Sequence, residues 1–284
     1  MRRVRIGIVE YLNTAPLVEG LKDTAGLELV RAVPSRLIDL LLDGRIDIGL
    51  ISLIDSARSP VPLSLFSAGM IGCDGPTLTV RLFSSIPIER ITRIHADTDS
   101  HTSVCLAKIL LDRVYGRNPQ FLDYDARERA GDGLPDTDSG ETWPEAMLLI
   151  GDKVVSDCPP AVRYPHQLDL GEVWRRFTGL PFVYAAWACR TDRVSELLPW
   201  AALLDRTRRR NLMRADHVVT THAPSHGWPL DLAGEYLGRR LRFDFNGRAV
   251  EGARHFLRLA SDSGLAPQNE PEIIDLADFV PTPG

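Results

Sequence analysis

Three polar stretches of this chain hold side chains suited to gripping a small anion and steering a proton. The first is Glu10-Tyr11-Leu12-Asn13-Thr14-Ala15-Pro16-Leu17, where the Asn13 amide both donates and accepts. The second is Asp97-Thr98-Asp99-Ser100-His101-Thr102-Ser103, dense in hydroxyls and set just before an apolar helical run. The third is Gly151-Asp152, after the apolar Ala146 to Ile150. Ser52 and Thr79 add hydroxyls at strand ends or in strands. A helix start offers free N–H groups and the positive end of a dipole, which favour a carboxylate. Each such contribution is about 0.3–1 kcal/mol when exposed, so several donors must converge. Glu10 and His101 are the side chains that could carry a proton. No serine or cysteine nucleophile pattern surrounds His101.

Each of these residues also has a purely architectural role open to it. Asn13 and Thr14 rank among the preferred helix caps, and so do Ser52, Thr98 and Ser100. Thr79 can pair within a sheet, His101 can be a solvated or structural group, and Asp152 can cap the turn after it. Capping and anion binding are compatible at the 100–103 turn, because different hydroxyls can serve each.

The elements that would position them alternate strand and helix. Val4 to Val9 reads as a strand feeding the Asn13 turn, with Gly7 marking a close backbone approach, and Leu17 to Leu21 begins a helix. Val30 to Val33 is a short strand, and Leu37, Ile38, Leu41 and Leu42 share one helical face up to Gly44. Ile46 to Ile51 is a buried strand ending at Ser52. Leu63 to Phe66 and Thr77 to Ser84 read as strands separated by a turn-rich Gly69 to Pro76. Ser85-Ile86-Pro87 then leads out to a second unit: strand Ile91 to Ala96, the polar turn, a helix from Val104 to Gly116, strand Ala146 to Ile150 and helix Leu170 to Phe177. The polar run 127–145 reads as a surface loop. Phe182 to Ala188 is a strand long enough to return to the first unit. Helices at 194–205, 206–215, 232–241 and 250–259 finish the chain, and from Ala266 the acidic, proline-rich end trails along or off the surface. In an open α/β sheet, ligands bind at the carboxyl edge of the strands, where Asn13 and Ser52 would stand. The plan is an α/β, two-lobed solute-binding fold: 1–86 and 189–284 form one lobe, 87–188 the other, and the ligand lies between them.

Composition narrows the partners. The 284 residues carry a net charge of −5 and 25% charged residues, ordinary for a globular protein. No basic stripe interleaves with aromatics, which argues against nucleic acid. No run of 18 apolar residues exists to span a membrane. The basic start is followed by an apolar run too short for a signal peptide. The four cysteines are dispersed without CxxC spacing, as packing thiols of a reducing cytoplasm would be. Neither a metal nor an organic cofactor has a motif here, and a homodimer is left open.

Tyr11-Leu12-Asn13-Thr14-Ala15-Pro16-Leu17, Gly44-Arg45-Ile46-Asp47-Ile48-Gly49-Leu50-Ile51-Ser52, Thr98 through Val104, Leu149-Ile150-Gly151-Asp152 and Thr178-Gly179-Leu180-Pro181-Phe182-Val183-Tyr184 follow one another in this chain. In this order they resemble the chorismate dehydratase family of the futalosine route to menaquinone, over about residues 4 to 265. The resemblance implies a type 2 periplasmic-binding-protein-like fold and a hydro-lyase acting on chorismate, a dianion, to give 3-[(1-carboxyvinyl)oxy]benzoate and water. It implies catalytic roles for Asn13 and Thr79 at the departing hydroxyl, and substrate contacts from Tyr11, Ser52, Ser100, His101, Thr102, Ser103, Gly151 and Asp152. The base is expected to be the substrate's own enolpyruvyl carboxylate, with Glu10 and His101 as protein-borne candidates. Two positions depart from the family: His101 stands where many members have arginine, and Thr79 where many have serine. A non-catalytic sensing domain on the same fold is one rival, disfavoured by the lack of a helix-turn-helix before the first strand. Dihydroxynaphthoate synthase is the other; its Cys-Pro-Asn-Asp-Thr opening is replaced here by Tyr11-Leu12-Asn13-Thr14.

Overall fold

A computed structural model describes residues 3–124 and 143–278. The 127–142 part of the expected loop and residues 279–284 lie outside the described residues. Along the chain the strands are β1 (Val4–Ile8), β2 (Leu27–Arg31), β3 (Ile48–Ser52), β4 (Leu63–Cys73), β5 (Val80–Ser84), β6 (Arg93–Asp97), β7 (Gln120–Tyr124), β8 (Ala146–Ile150), β9 (His166–Asp169), β10 (Phe182–Arg190), β11 (Leu241–Arg242) and β12 (Glu272–Ile274).

They form two mixed sheets. The first runs β11-β4-β10-β3-β1-β2, with β12 also pairing with β4; the second runs β7-β6-β8-β5-β9. β1 lies parallel to β2 and β3, whereas β10 is antiparallel to β3 and β4. In the second sheet β6 is parallel to β7 and β8, and β5 is antiparallel to β8 and β9. Strands buried on both faces read as near-continuous apolar runs, and β3 and β8 are buried at every residue. One apolar core runs through both sheets, and a smaller cluster of Phe83, Met147, Leu149, Val154 and Tyr164 covers the other face of the second. Trp174, Phe182 and Phe256 pack edge-to-face at 5.0–6.1 Å between ring centres and tie helix Leu170–Thr178 to β10.

The chain changes sheets earlier than the sequence suggests. Val80–Ser84 pairs in the second sheet and Phe182–Arg190 in the first, whereas the 86/87 boundary leaves the former with the first unit and the 188/189 boundary falls within the latter. Antiparallel partners far apart in sequence leave no local mark. The expected turn at Gly69 to Pro76 begins only after Cys73, because Gly69 and Gly72 sit inside β4, beside register shifts against β10. The edge strands β7 and β9 escape a search for apolar alternation because both are only half-buried. The helix expected from Leu17 is a single turn, Ala15–Val18, after a 3-10 turn at Leu12–Thr14. The two expected helices from 194 to 215 are mostly one, Val194–Met213. Part of the tail expected to trail away adds β12 to the first sheet.

Candidate active site

The two sheets face each other across a cavity of about 540 Å³, counting its open mouth. From the first sheet come Tyr11 and Asn13 on the loop after β1, and Ser52 at the end of β3. From the second come Thr79 before β5, Ser100 and Ser103 at the start of helix His101–Tyr115, and Gly151 after β8. Thr77, Tyr184 of β10 and Tyr236 complete the polar lining, among apolar residues such as Val9, Leu50, Ile71 and Ile150. The lining carries hydroxyls and an amide and no formally charged side chain.

Ser100 caps the helix as its residue type predicts. Its Oγ accepts the Ser103 N–H at 3.3 Å and lies 2.9 Å from the Ser103 Oγ. The amides of His101 and Thr102, at the first positions of the helix, have no intrahelical acceptor. The cavity therefore meets a helix N-terminus carrying two serine hydroxyls, a neutral cradle for a carboxylate. Ser52, by contrast, makes no capping bond and is buried in the lining. Asn13 likewise caps nothing; its Oδ1 lies 3.3 Å from the Thr14 hydroxyl.

Thr77 and Thr79 are presented by a segment held under strain. Leu78 between them has φ 76°, an uncommon conformation for a residue with a side chain. Asp169 secures it: its carboxylate accepts the N–H of Thr77 at 2.8 Å and of Leu78 at 2.7 Å, and caps the next helix at Gly171 and Glu172. Gly171 is needed there, since a Cβ would stand 2.1 Å from the Thr77 hydroxyl and 2.6 Å from the Gly75 carbonyl. The two threonine hydroxyls reach tyrosines held by the first sheet's side of the molecule: Thr77 to Tyr184 at 2.8 Å, Thr79 to Tyr236 at 2.7 Å.

Further bonds hold the walls together. The Tyr11 phenol donates to Asp99 at 2.6 Å, and Lys153 lies between Asp97 and Asp99 at 2.5 and 2.8 Å. Asp152 accepts the Leu12 N–H at 3.1 Å and the Trp228 indole at 3.0 Å. Gly151 has φ 68°, and a Cβ on it would sit 3.1 Å from the Tyr11 ring, so glycine lets that ring lie flat on the wall.

Seven of the residues singled out in the sequence thus meet in one cavity: Tyr11, Asn13, Ser52, Thr79, Ser100, Ser103 and Gly151. Four others do not line it. His101 turns into a neighbouring groove, where its Nδ1 lies 2.9 Å from Asp55. Thr102 is fully buried and accepts the Ile54 N–H at 3.1 Å. Asp152 acts on the loop and the Trp228 indole behind the wall. Glu10 is exposed and pairs with Arg31. Thr77, Tyr184, Tyr236 and Trp228 were not foreseen. Thr77 starts a recognised strand and Tyr184 ends a stretch that carries the family resemblance, but neither was assigned to the site, and Trp228 and Tyr236 lie more than 140 residues from Thr79 and carry no motif.

The electrostatics suit neutral donors. Burial raises the pKa of Tyr236 and raises that of Tyr184 well above the usual phenol value, against hydrogen bonds that lower it, such as those from Thr79 and Thr77. Both phenols are therefore protonated at neutral pH. Burial also raises the Asp152 and Asp97 carboxyls. His101 is raised by its bond to Asp55, against desolvation. Among the described residues, no group of three or more His, Cys, Asp or Glu side chains is arranged to hold a metal, and no helix is long and apolar enough to cross a membrane.

A family model described as menaquinone biosynthesis matches residues 4–262. The chain is 30% identical over 237 residues to the chorismate dehydratase of Thermus thermophilus, covering 78% of this chain and 83% of that protein. It is 28% identical over 180 residues to the chorismate dehydratase of Campylobacter jejuni, covering 63% and 60% of the two chains. In fold it is similar to protein AF1704 from Archaeoglobus fulgidus, with a TM-score of 0.64 at 14% identity over 93% of this chain and 98% of that one. It is similar too to the alkanesulfonate-binding protein SsuA from Xanthomonas axonopodis, with a TM-score of 0.64 at 12% identity over 97% and 99%. The chain thus has the expected periplasmic-binding-protein-like fold.

Proposed function

The chain belongs to the menaquinone biosynthesis family, and from that premise we propose that it is a chorismate dehydratase, a hydro-lyase that removes water from chorismate to leave 3-[(1-carboxyvinyl)oxy]benzoate. The observation that carries this reading is the lining itself: hydroxyls and an amide converge on an uncharged cavity that ends at a helix N-terminus.

The chemistry asks for three things. A ring C–H bond beside the leaving group must break, and its electron pair becomes a ring π bond. The ring C–O bond must break, with the hydroxide leaving to end as water. The two carboxylates must be held while this happens. Aromatisation supplies the driving force, so the protein chiefly steers.

The free amides at His101 and Thr102, with the Ser100 and Ser103 hydroxyls, suit one carboxylate. Neutral donors in a closed site stabilise negative charge without needing a counter-ion. Asn13 and Thr79 suit the departing hydroxyl, where donors strengthen as charge develops on oxygen. Tyr11, Ser52 and Gly151 shape the remaining wall. For the base, the lining offers only neutral hydroxyls, phenols and an amide, while Glu10 and His101 face elsewhere. The substrate's enolpyruvyl carboxylate, adjacent to the ring C–H, fits that role: it takes the proton and passes it to the leaving hydroxide, so the dianion's charge is conserved. Four free thiols, Cys73, Cys105, Cys158 and Cys189, suit a cytoplasmic setting; recovery of the protein outside the cytoplasmic fraction would contradict that.

The test is to incubate the purified protein with chorismate and follow it by mass and ultraviolet spectra. Loss of the mass of one water with appearance of the enolpyruvyl benzoate is expected. Chorismate bound but returned unchanged would favour a sensing role and end the reading.

A further inference from the structure

Tyr236 lies within a single π-helical turn, Tyr236–Arg240, that interrupts the path from helix Leu230–Glu235 to β11. Such turns insert one residue into a helix and recur at functional sites. The ring is fully buried and stacks on Trp228, with centres 4.7 Å apart and planes 16° from parallel. Trp228 is itself fixed through its indole N–H to Asp152, which also holds the Leu12 amide. The phenol oxygen reaches the cavity and lies 2.7 Å from the Thr79 Oγ1. Asn13 lines the same cavity. One buried hydroxyl therefore touches Thr79, a group assigned to the leaving hydroxyl, and it comes from a part of the chain that otherwise contributes little to the lining.

We infer that Tyr236 is a positioning residue for the dehydration: its phenol fixes the rotamer of Thr79, so that this donor meets the departing hydroxyl beside Asn13. The inference rests on the proposed reaction. A buried phenol held by an aromatic stack loses little freedom when it bonds, which makes it a rigid reference point for the shorter threonine side chain. Without it, Thr79 can rotate. Because a misplacement of about 1 Å can cost roughly 100-fold, the effect belongs in turnover and not in binding.

The test is Tyr236→Phe, which keeps the ring and its stack and removes only the oxygen. Turnover of chorismate is expected to fall roughly 10- to 100-fold with KM within about threefold. The double variant Tyr236→Phe/Thr79→Val is expected to lose no more than about threefold beyond the worse single variant, because the two act as a unit. A crystal structure of Tyr236→Phe is expected to have the Thr79 hydroxyl in a different rotamer, an outcome independent of any activity. Full turnover in Tyr236→Phe, losses that multiply in the double variant, or an unmoved Thr79 would each overturn the inference. If the wild-type protein left chorismate untouched, the reaction would be wrong, and the Thr79 rotamer alone would still decide the positioning. Should the Phe variant fail to fold, a ring-fluorinated tyrosine in place of Tyr236 keeps the shape and the hydroxyl but changes the phenol's acidity; turnover within about threefold of wild type is expected, and a loss that tracks the acidity would overturn the positioning role.

Discussion

The Tyr11 phenol, carried by the first sheet, donates a 2.6 Å hydrogen bond to Asp99, carried by the second. Asp99 is also paired with Lys153, so the acceptor stays ordered whether or not the phenol reaches it. The bond ties a wall of the first sheet to a wall of the second beside the cavity.

Tyr11→Phe should therefore loosen that tie without unfolding either wall. A hydrogen bond to a charged partner is worth about 1.5–3 kcal/mol, so KM is expected to rise about 10-fold. Melting should move little, since Lys153 still holds Asp99. Steady-state kinetics beside a thermal melt would check this, and an unchanged KM would mean that the tie does not support binding. Gly151→Ala should act in the same direction, because its Cβ would press on the Tyr11 ring.

On the proposed reaction, Asn13→Ala removes a donor from the departing hydroxyl and leaves the proposed carboxylate cradle intact. Turnover is expected to drop ~100-fold with little change in KM, or about 2.7 kcal/mol in the barrier. A variant with near-normal turnover and only an altered KM would show that Asn13 binds substrate without assisting the leaving group.

Ser100→Ala takes away the cap of helix His101–Tyr115 and one hydroxyl of the cradle. The lost cap is worth about 1 kcal/mol, which for a chain of this size lowers Tm by roughly 2–4 °C. KM for the dianion should rise by more than the cap alone explains, whereas Ser100→Gly should restore most of the Tm and little of the KM. Equal recovery of both would confine Ser100 to capping.

His101 provides a pH test. Its folded-state pKa is raised above 6.5 by the Asp55 contact, so the stabilisation from that pair is fully present below about 6.5. It is lost as the pH climbs through the higher folded value. Asp55→Asn is expected to lower stability at pH 6 and to matter less at pH 9. Because His101 faces the neighbouring groove, His101→Asn should leave kcat/KM within about threefold and its pH profile without a missing limb. Disappearance of a wild-type limb in that variant would restore His101 as a proton carrier.

Much of the site was readable because it is built from local signals. A strand, a polar turn and a capping residue put Asn13, Ser52 and Ser100 at element ends, where backbone geometry fixes which way they face. His101 misled for the opposite reason: an imidazole in a polar turn suggests chemistry, but its partner Asp55 lies 46 residues earlier and turns it away. Thr77 and Thr79 owe their aim to Asp169, about 90 residues on, and to a positive φ at a leucine that no propensity foretells. Tyr236 reaches Thr79 across 157 residues from a stretch whose apolar pattern reads as plain helix. The sheet exchange at β5 and β10 was hidden likewise, since pairing partners are a tertiary property.

The most direct measurement is a crystal structure with 3-[(1-carboxyvinyl)oxy]benzoate bound. One carboxylate should lie within hydrogen-bond distance of the His101 and Thr102 amides, with the vacated ring carbon facing Asn13 and Thr79. A product molecule seated instead in the groove beside His101 and Lys108, with the Asn13 cavity untouched, would contradict the account.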